Sequence, residues 1–412
     1  MPSAVTHLRL PLALAVVSLS AYLITSHLSA MRRLLERRMR LIIAARDGDY
    51  ETVLEIARSA ARDVPLLLAP EASWAGVTAL YAAALRGRAN VAALLLSMGA
   101  PVDEANAMGD VPLAIASQEG HAAVAALLLK EGAYADRECQ STGATALQLA
   151  CQYGHASCVD VLLRGGAATD TANLDGNTAL FVCCEHGHVT CARLLLEAGA
   201  SIELRWGANN AAGSGATPMF IACLMGHLVC VQLLSSYGAR RRVPVPALDR
   251  VVSAEEVAAE RSQQEIVEWL ESTRTWSALH HLEISTPERV RQLLRSGIDP
   301  RQRVPLSRAA HASVAELDET DASATAPSPL DVACRLPAEH PTGLLVRLAA
   351  GPWSPESADL FPDEARALAC AYLRPLFSLG SALTGGPPPS SFAHLVLRLV
   401  PSIAVGCPPS AL

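Results

Sequence analysis

The densest group of chemically capable side chains is Cys183, Cys184, His186, His188 and Cys191, soft ligands at spacings a metal ion could use. Gly-His pairs recur at Gly120-His121, Gly154-His155, Gly187-His188 and Gly226-His227, and an imidazole is the usual general acid or base near neutral pH. Neither pattern survives inspection of its surroundings. Cys184 falls at the same place in a repeated template as Cys151 and Cys223, and Cys191 matches Cys158 and Cys230. A buried free cysteine packs as a small apolar residue. Beside the histidines there is no Ser or Cys nucleophile with an orienting acid, and no phosphate-cradling glycine loop or zinc-finger spacing occurs anywhere. The expectation is a chain with no catalytic residue, no metal and no cofactor.

The template that explains these residues repeats five times. Its leading glycines are Gly76, Gly109, Gly143, Gly176 and Gly215, stepping by 33, 34, 33 and 39 residues. Each is followed by Thr-Ala-Leu or a variant of it: Thr78 to Leu80, Val111 to Leu113, Thr145 to Leu147, Thr178 to Leu180 and Thr217 to Met219. Each unit closes with consecutive leucines before Gly-Ala, at Gly99, Gly132, Gly166, Gly199 and Gly238. Small residues at Ala82 to Ala84, Ala116, Ala150-Cys151, Cys183-Cys184 and Ala222-Cys223 let one helix of each unit approach its neighbours closely. The leucines of the other helix fill the layer between units. No unit can bury its own apolar face, so stability accrues from neighbour to neighbour.

These residues resemble the ankyrin repeat family, whose unit of about 33 residues is a turn plus two antiparallel helices with the signature Thr-Pro-Leu-His-x-Ala. The resemblance implies an all-α fold, an ankyrin-repeat α-solenoid with short β-turn or hairpin loops. Two departures stand out. Proline survives only at Pro112 and Pro218, and the signature histidine is Tyr81, Ala114, Gln148, Phe181 and Phe220. Loss of that histidine weakens one helix-to-turn hydrogen bond per repeat.

Composition fits. Hydrophobic residues make up 51% of the 412 while aromatics are 4%, as thin, closely stacked helices require. A net charge of -7 with 18% charged residues argues against a basic nucleic-acid binder and against wholesale disorder. Eleven cysteines are too dilute for a disulfide scaffold.

The chain therefore divides into an apolar N-terminal segment (1–30), an N-terminal capping repeat (31–70), five clear repeats (71–240), two degenerate ones (241–302), a loop (303–327) and a last degenerate repeat (328–350). A capping helix within 351–380, at Asp363 to Leu379, and a Pro-rich tail (381–412) follow. Leu10 to Met31 carries no formal charge over 22 residues, long enough as a helix to span a bilayer. Arg32, Arg33, Arg37, Arg38 and Arg40 follow it, against Arg9 before it, which would leave the repeats in the cytoplasm and the N-terminus outside. Three readings stand side by side: a membrane anchor through residues 10–31, a cleaved targeting segment, and a true start at Met31.

What the family resemblance implies for function is recognition of another protein, by a monomer, without nucleic acid. In ankyrin stacks the turn tips and first helices form a concave groove, and the variable tip positions are Glu104, Asn106 and Met108; Arg137, Glu138 and Gln140; Thr171, Asn173 and Asp175; then Arg205 and Trp206. Trp206 heads an enlarged turn and either meets the partner or folds back on the neighbouring repeat. A second reading comes from Leu330 and Cys334, which resemble the Leu-x-x-x-Cys box through which ankyrin plus SOCS-box substrate receptors of cullin-type ubiquitin ligases bind their elongin adaptor. An ordinary repeat helix has the same spacing.

Overall fold

The computed structural model describes residues 4–59, 64–70, 75–206, 215–245, 250–274, 276–300, 328–350 and 360, with side chains from residue 26 onward except at 64, 244, 245 and 250. The chain divides into two compact units, with the boundary in sequence between Pro218 and Met219.

The first unit begins with α1 (Ala4–Asp47), one helix of 44 residues. Its last turns bury Leu41, Ile42 and Ala45, each 0% exposed, as the first helix of a repeat, and α2 (Tyr50–Ser59) returns antiparallel to it. A short helix, α3 (Val64–Leu68), follows. Four helix pairs come next: α4 (Ala79–Leu85) with α5 (Ala89–Ser97), α6 (Pro112–Gln118) with α7 (Ala122–Lys130), α8 (Ala146–Gln152) with α9 (Ala156–Arg164), and α10 (Ala179–His186) with α11 (Val189–Glu197).

The repeated sequence explains the repeated geometry. Thr78, Thr145 and Thr178 cap their helices by accepting a hydrogen bond from the backbone three residues on, worth about 1 kcal/mol each. Val111 has no such side chain, and Pro112 opens α6 instead with its preset φ. Leu80, Leu113, Leu147 and Leu180 on the first helices, and Leu95, Leu128, Leu162 and Leu195 on the second, are at most 1% exposed. Truncating one of them to alanine costs about 2–5 kcal/mol.

The second unit holds α12 (Pro218–Met225) and α13 (Leu228–Ser236), a two-stranded antiparallel hairpin of β1 (Arg242–Val245) and β2 (Arg250–Ser253), then α14 (Ala254–Glu260) with α15 (Gln264–Ser272). The arginines Arg240 to Arg242, which interrupt the apolar rhythm of the sequence, lead into this hairpin. Ser277 to His280 restores the signature in sequence but forms a single 3-10 turn, Ala278–His280, rather than a full helix. A core of this unit joins Leu279 of this turn, Leu282 just after it, Val290, Leu293 and Leu294 of α16 (Pro287–Arg295), Ala333 of α17 (Pro329–Arg335), Val346 of α18 (Pro341–Ala350) and Leu360.

The loop at 303–327, the capping helix expected at Asp363 to Leu379 and the tail at 381–412 lie outside the described residues. Among the described residues no helix is long and apolar enough to cross a membrane. Most of the segment expected to do so, residues 10–25, lies within α1 but outside the described side chains.

Candidate partner-binding site

The first unit presents a row of hairpins held in register by three sets of bonds between neighbouring repeats. One set is made by the turn histidines. The Nε2 atoms of His121, His155 and His188 lie 3.2, 2.9 and 3.1 Å from the carbonyl oxygens of Leu85, Gln118 and Gln152 in the preceding repeat. Each imidazole covers a glycine there, Gly87, Gly120 or Gly154, whose missing Cβ makes room for it. In the first pair Arg88 takes the same place, lying over Gly48 and donating to the carbonyl of Arg46 at 3.4 Å. These histidines tie each repeat to the one before it.

Aspartates make the second set. Asp103, Asp136 and Asp170 accept hydrogen bonds from the backbone N–H groups of Tyr134 (3.1 Å), Ala168 (2.8 Å) and Ser201 (2.9 Å), each in the next repeat. The signal was in the sequence, an acid three residues after the Gly-Ala pairs at Gly99, Gly132 and Gly166, at spacings of 33 and 34.

Hairpin-to-hairpin bonds form the third, from Ala107 N–H to the Ala75 carbonyl (2.7 Å) and from Leu174 N–H to that of Thr142 (3.1 Å). Gln148 reinforces them. Buried at 2% exposure, it accepts from the Thr145 N–H at 2.9 Å and donates to the carbonyls of Thr171 and Asn177 at 2.7 and 2.8 Å. The helix-to-turn bond that the missing signature histidine was expected to weaken is made here by a glutamine amide, which has a donor and an acceptor to offer.

The eleven tip positions sort into two kinds. Asn106, Asn173 and Trp206 stand at one equivalent place, closing a hairpin: their N–H groups donate to the carbonyls of Asp110 (2.9 Å), Asn177 (3.0 Å) and Ala216 (2.8 Å), as Cys139 does to Ala144 (2.9 Å). The Asn106 carboxamide accepts from Met108 and Asp110, both at 2.9 Å, and that of Asn173 accepts from Asn177 at 2.9 Å. Trp206 is half-buried and stacks on Phe181, ring centroids 6.3 Å apart and planes 21° from parallel. Of its two readings, the fold-back is the one observed. These three side chains shape the hairpins. Thr171 serves them through its carbonyl, and Gln140 lies over Gly109.

Met108 is 65% exposed, and Arg137, Glu138, Gln140 and Asp175 are exposed with it, while Glu104 and Arg205 are half-buried. Exposed apolar side chains that the sequence reading passed over also lie on this unit: Leu174 (63%) one residue before Asp175, and Tyr153 (50%) at the end of α8. Tyr153 stacks on His155 at 6.4 Å.

Burial controls the titratable groups behind this surface. The Tyr81 hydroxyl is pushed up to about 12 by burial, assisted by the Asp110 carboxylate, and the Cys139 thiol rises to about 12 for the same two reasons. Both stay protonated and inert at neutral pH. Cys151, Cys158, Cys183, Cys184 and Cys191 are at most 1% exposed on helix packing positions, and burial holds the Cys183 thiol well above its ordinary value. Among the described residues no group of three or more His, Cys, Asp or Glu is placed to hold a metal ion.

Residues 41–139 and 129–206 match the family described as ankyrin repeats (3 copies), and residues 180–234 match ankyrin repeats (many copies). The chain is similar to the crystal structure of the human ASB11 ankyrin repeat domain, at 27% identity over 56% of this chain and 96% of that one, with a TM-score of 0.47. No curated protein matches the sequence.

Proposed function

Because residues 41–234 are ankyrin repeats, a module that generally binds other proteins, we propose that this chain is a non-enzymatic scaffold or adaptor that holds a partner protein on the hairpin face of its first unit. The observation that supports this reading is the division of labour within the hairpins. Backbone bonds and buried side chains fix the frame, which leaves Met108, Arg137, Glu138 and Asp175 exposed on it. A rigid frame loses little entropy on binding, so a few such side chains can carry recognition. The arginines after residue 31 favour a cytoplasmic location for the repeats.

The test is affinity capture with the wild-type chain and with a Met108→Ala, Glu138→Arg, Asp175→Arg variant. The reading stands if the variant keeps its melting temperature and loses the captured protein, and fails if capture is unchanged.

The ubiquitin-ligase reading has one supporting observation. On α17 Cys334 is exposed and Leu330, four residues earlier on the same face, is only half-buried, so the Leu-x-x-x-Cys box is accessible. Against it, Ala333 packs in the core that α18 completes, as in a plain repeat. Recovery of elongin and cullin subunits with the full chain, lost on Leu330→Ser, would favour the ligase; their absence disposes of it.

A further inference from the structure

Helix α18 turns an apolar side outward. Thr342, Gly343, Val346 and Ala350 are buried, which fixes the inward side of the helix. At 3.6 residues per turn Pro341, Leu344, Leu345 and Leu348 fall opposite them, and Leu344 and Leu348 are 44% and 37% exposed. The one charge in the helix, Arg347, is spent on the segment before it, where it donates to the carbonyls of Ala333, Pro337 and Ala338. Elsewhere in this unit outward sides are polar: α15 exposes Glu265, Glu268 and Glu271, and α16 exposes Glu288, Gln292 and Arg295. A helix that is apolar on both sides belongs in an interior.

We propose that the chain's own segment from Asp363 to Leu379 lies across this side of α18 and closes the second unit. Position is the first argument. Ten residues after Ala350 ends α18, Leu360 is 2% exposed in the core to which Val346 belongs. The chain has thus come back beside α18, and the segment starts three residues further on. Pattern is the second. Wound as a helix, Ala365, Leu368, Ala369, Tyr372 and Leu373 share an arc of about 140°, while Asp363, Ala367, Cys370 and Arg374 fall on the other side. From Asp363 to Arg374, ahead of Pro375, such a helix would be about 18 Å long, against about 15 Å for the ten residues of α18.

The two apolar sides suit each other, since neither carries a charge among the residues that would meet. The segment's other side, with Asp363 and Arg374, then supplies the polar outer face that a terminal layer of a repeat stack needs. A second copy of the chain is a poorer occupant. A stable homodimer buries about 800 Å² on each partner, and the outward side of α18 is a strip of only about 15 Å by 10 Å. A tethered segment escapes that demand, because its local concentration is high.

This inference is independent of the protein-binding reading, which concerns the first unit. It is tested on the full chain by hydrogen exchange read peptide by peptide. With Leu368→Asp and Tyr372→Asp in the segment, the amides of residues 344–350 in α18 are expected to exchange about tenfold faster or more, while those of α14 stay as in wild type. With Leu344→Ser and Leu348→Ser on α18, the amides of residues 365–373 should speed up in turn. Leu368→Ala, a milder change, should give the first pattern at smaller amplitude, and keeps the test open if the aspartates unfold the unit. Cys370→Ser with Arg374→Ser, on the segment's other side, should alter neither stretch. Exchange in α18 untouched by the segment variants, exchange in the segment untouched by the α18 variant, or an equal effect from the Cys370 and Arg374 changes would overturn the proposal. So would light scattering that shows a dimer which the α18 variant converts to monomer.

Discussion

His155 places its Nε2 atom 2.9 Å from the carbonyl oxygen of Gln118, 37 residues earlier, and its ring fills the space over Gly120 where a side chain would stand. Replacing it removes a bond and a lid together. His155→Ala is expected to lower stability by about 1–2 kcal/mol, the cost of a lost hydrogen bond plus an orphaned carbonyl. His155→Gln should recover part of this, because Gln263 covers Gly226 in the same manner in the second unit. Urea denaturation of the three proteins reads the difference.

The converse change should be worse. Gly120 has φ +80°, and a Cβ there would approach the His155 ring within 2.7 Å. Gly120→Ala combines left-handed backbone strain with a clash that has to displace the imidazole, so a loss larger than that of His155→Ala is expected from the same titration.

Asp136→Ala removes the acceptor for the Ala168 N–H. A loss of about 1 kcal/mol is expected, with faster hydrogen exchange at that amide. An unchanged exchange rate would show that the ladder bond contributes nothing.

The two kinds of tip residue predict opposite phenotypes. Asn106→Ala should cost about 1 kcal/mol or more of stability, because the N–H groups of Met108 and Asp110 lose their acceptor. Met108→Ala should stay within about 0.5 kcal/mol of wild type and weaken partner capture. Trp206→Ala belongs with the first kind: the stack on Phe181 and its half-burial predict a loss of about 1–2 kcal/mol in thermal melts.

In the second unit His281 is 3% exposed, near Ser235 Oγ at 3.3 Å and flanked by Trp269, Trp276, His280 and the Arg241 guanidinium, which lies over Trp269. Burial, with the charge of Arg241 behind it, lowers its pKa from 6.5 to about 3. Between these values the unfolded chain binds a proton that the folded one refuses. Stability should therefore be fully present above pH 6.5 and fall as pH drops toward 3, by up to about 1.4 kcal/mol per unit. His281→Gln should flatten that slope in melts recorded between pH 7 and pH 5.

The repeats were legible in the sequence because most of them solve the same problems with the same residues: a threonine cap, a small residue where helices touch, a glycine where an imidazole must fit. The tip residues were harder to read. Asn106, Cys139, Asn173 and Trp206 share one structural place although their side chains have nothing in common, since the requirement there falls on the backbone N–H and carbonyl. The length of α1 was also hidden. Its apolar part and its repeat part read as separate segments, and nothing in composition marks them as one helix. Gln148 shows the reverse error, in which a departure from the family signature looked like a loss and proves to be a substitution of equal reach.

The buried thiols have a consequence for how motion in this molecule can be watched. Cys151, Cys158, Cys183, Cys184 and Cys191 form no disulfide and are sealed within the third and fourth helix pairs after α3, so a water-borne disulfide reagent can reach them only in the moments when those layers part. Their rate of labelling is then a clock for the breathing of that stretch, and a bound partner that clamps the hairpins should slow it. The chain carries its own reporters, already placed where the opening would occur.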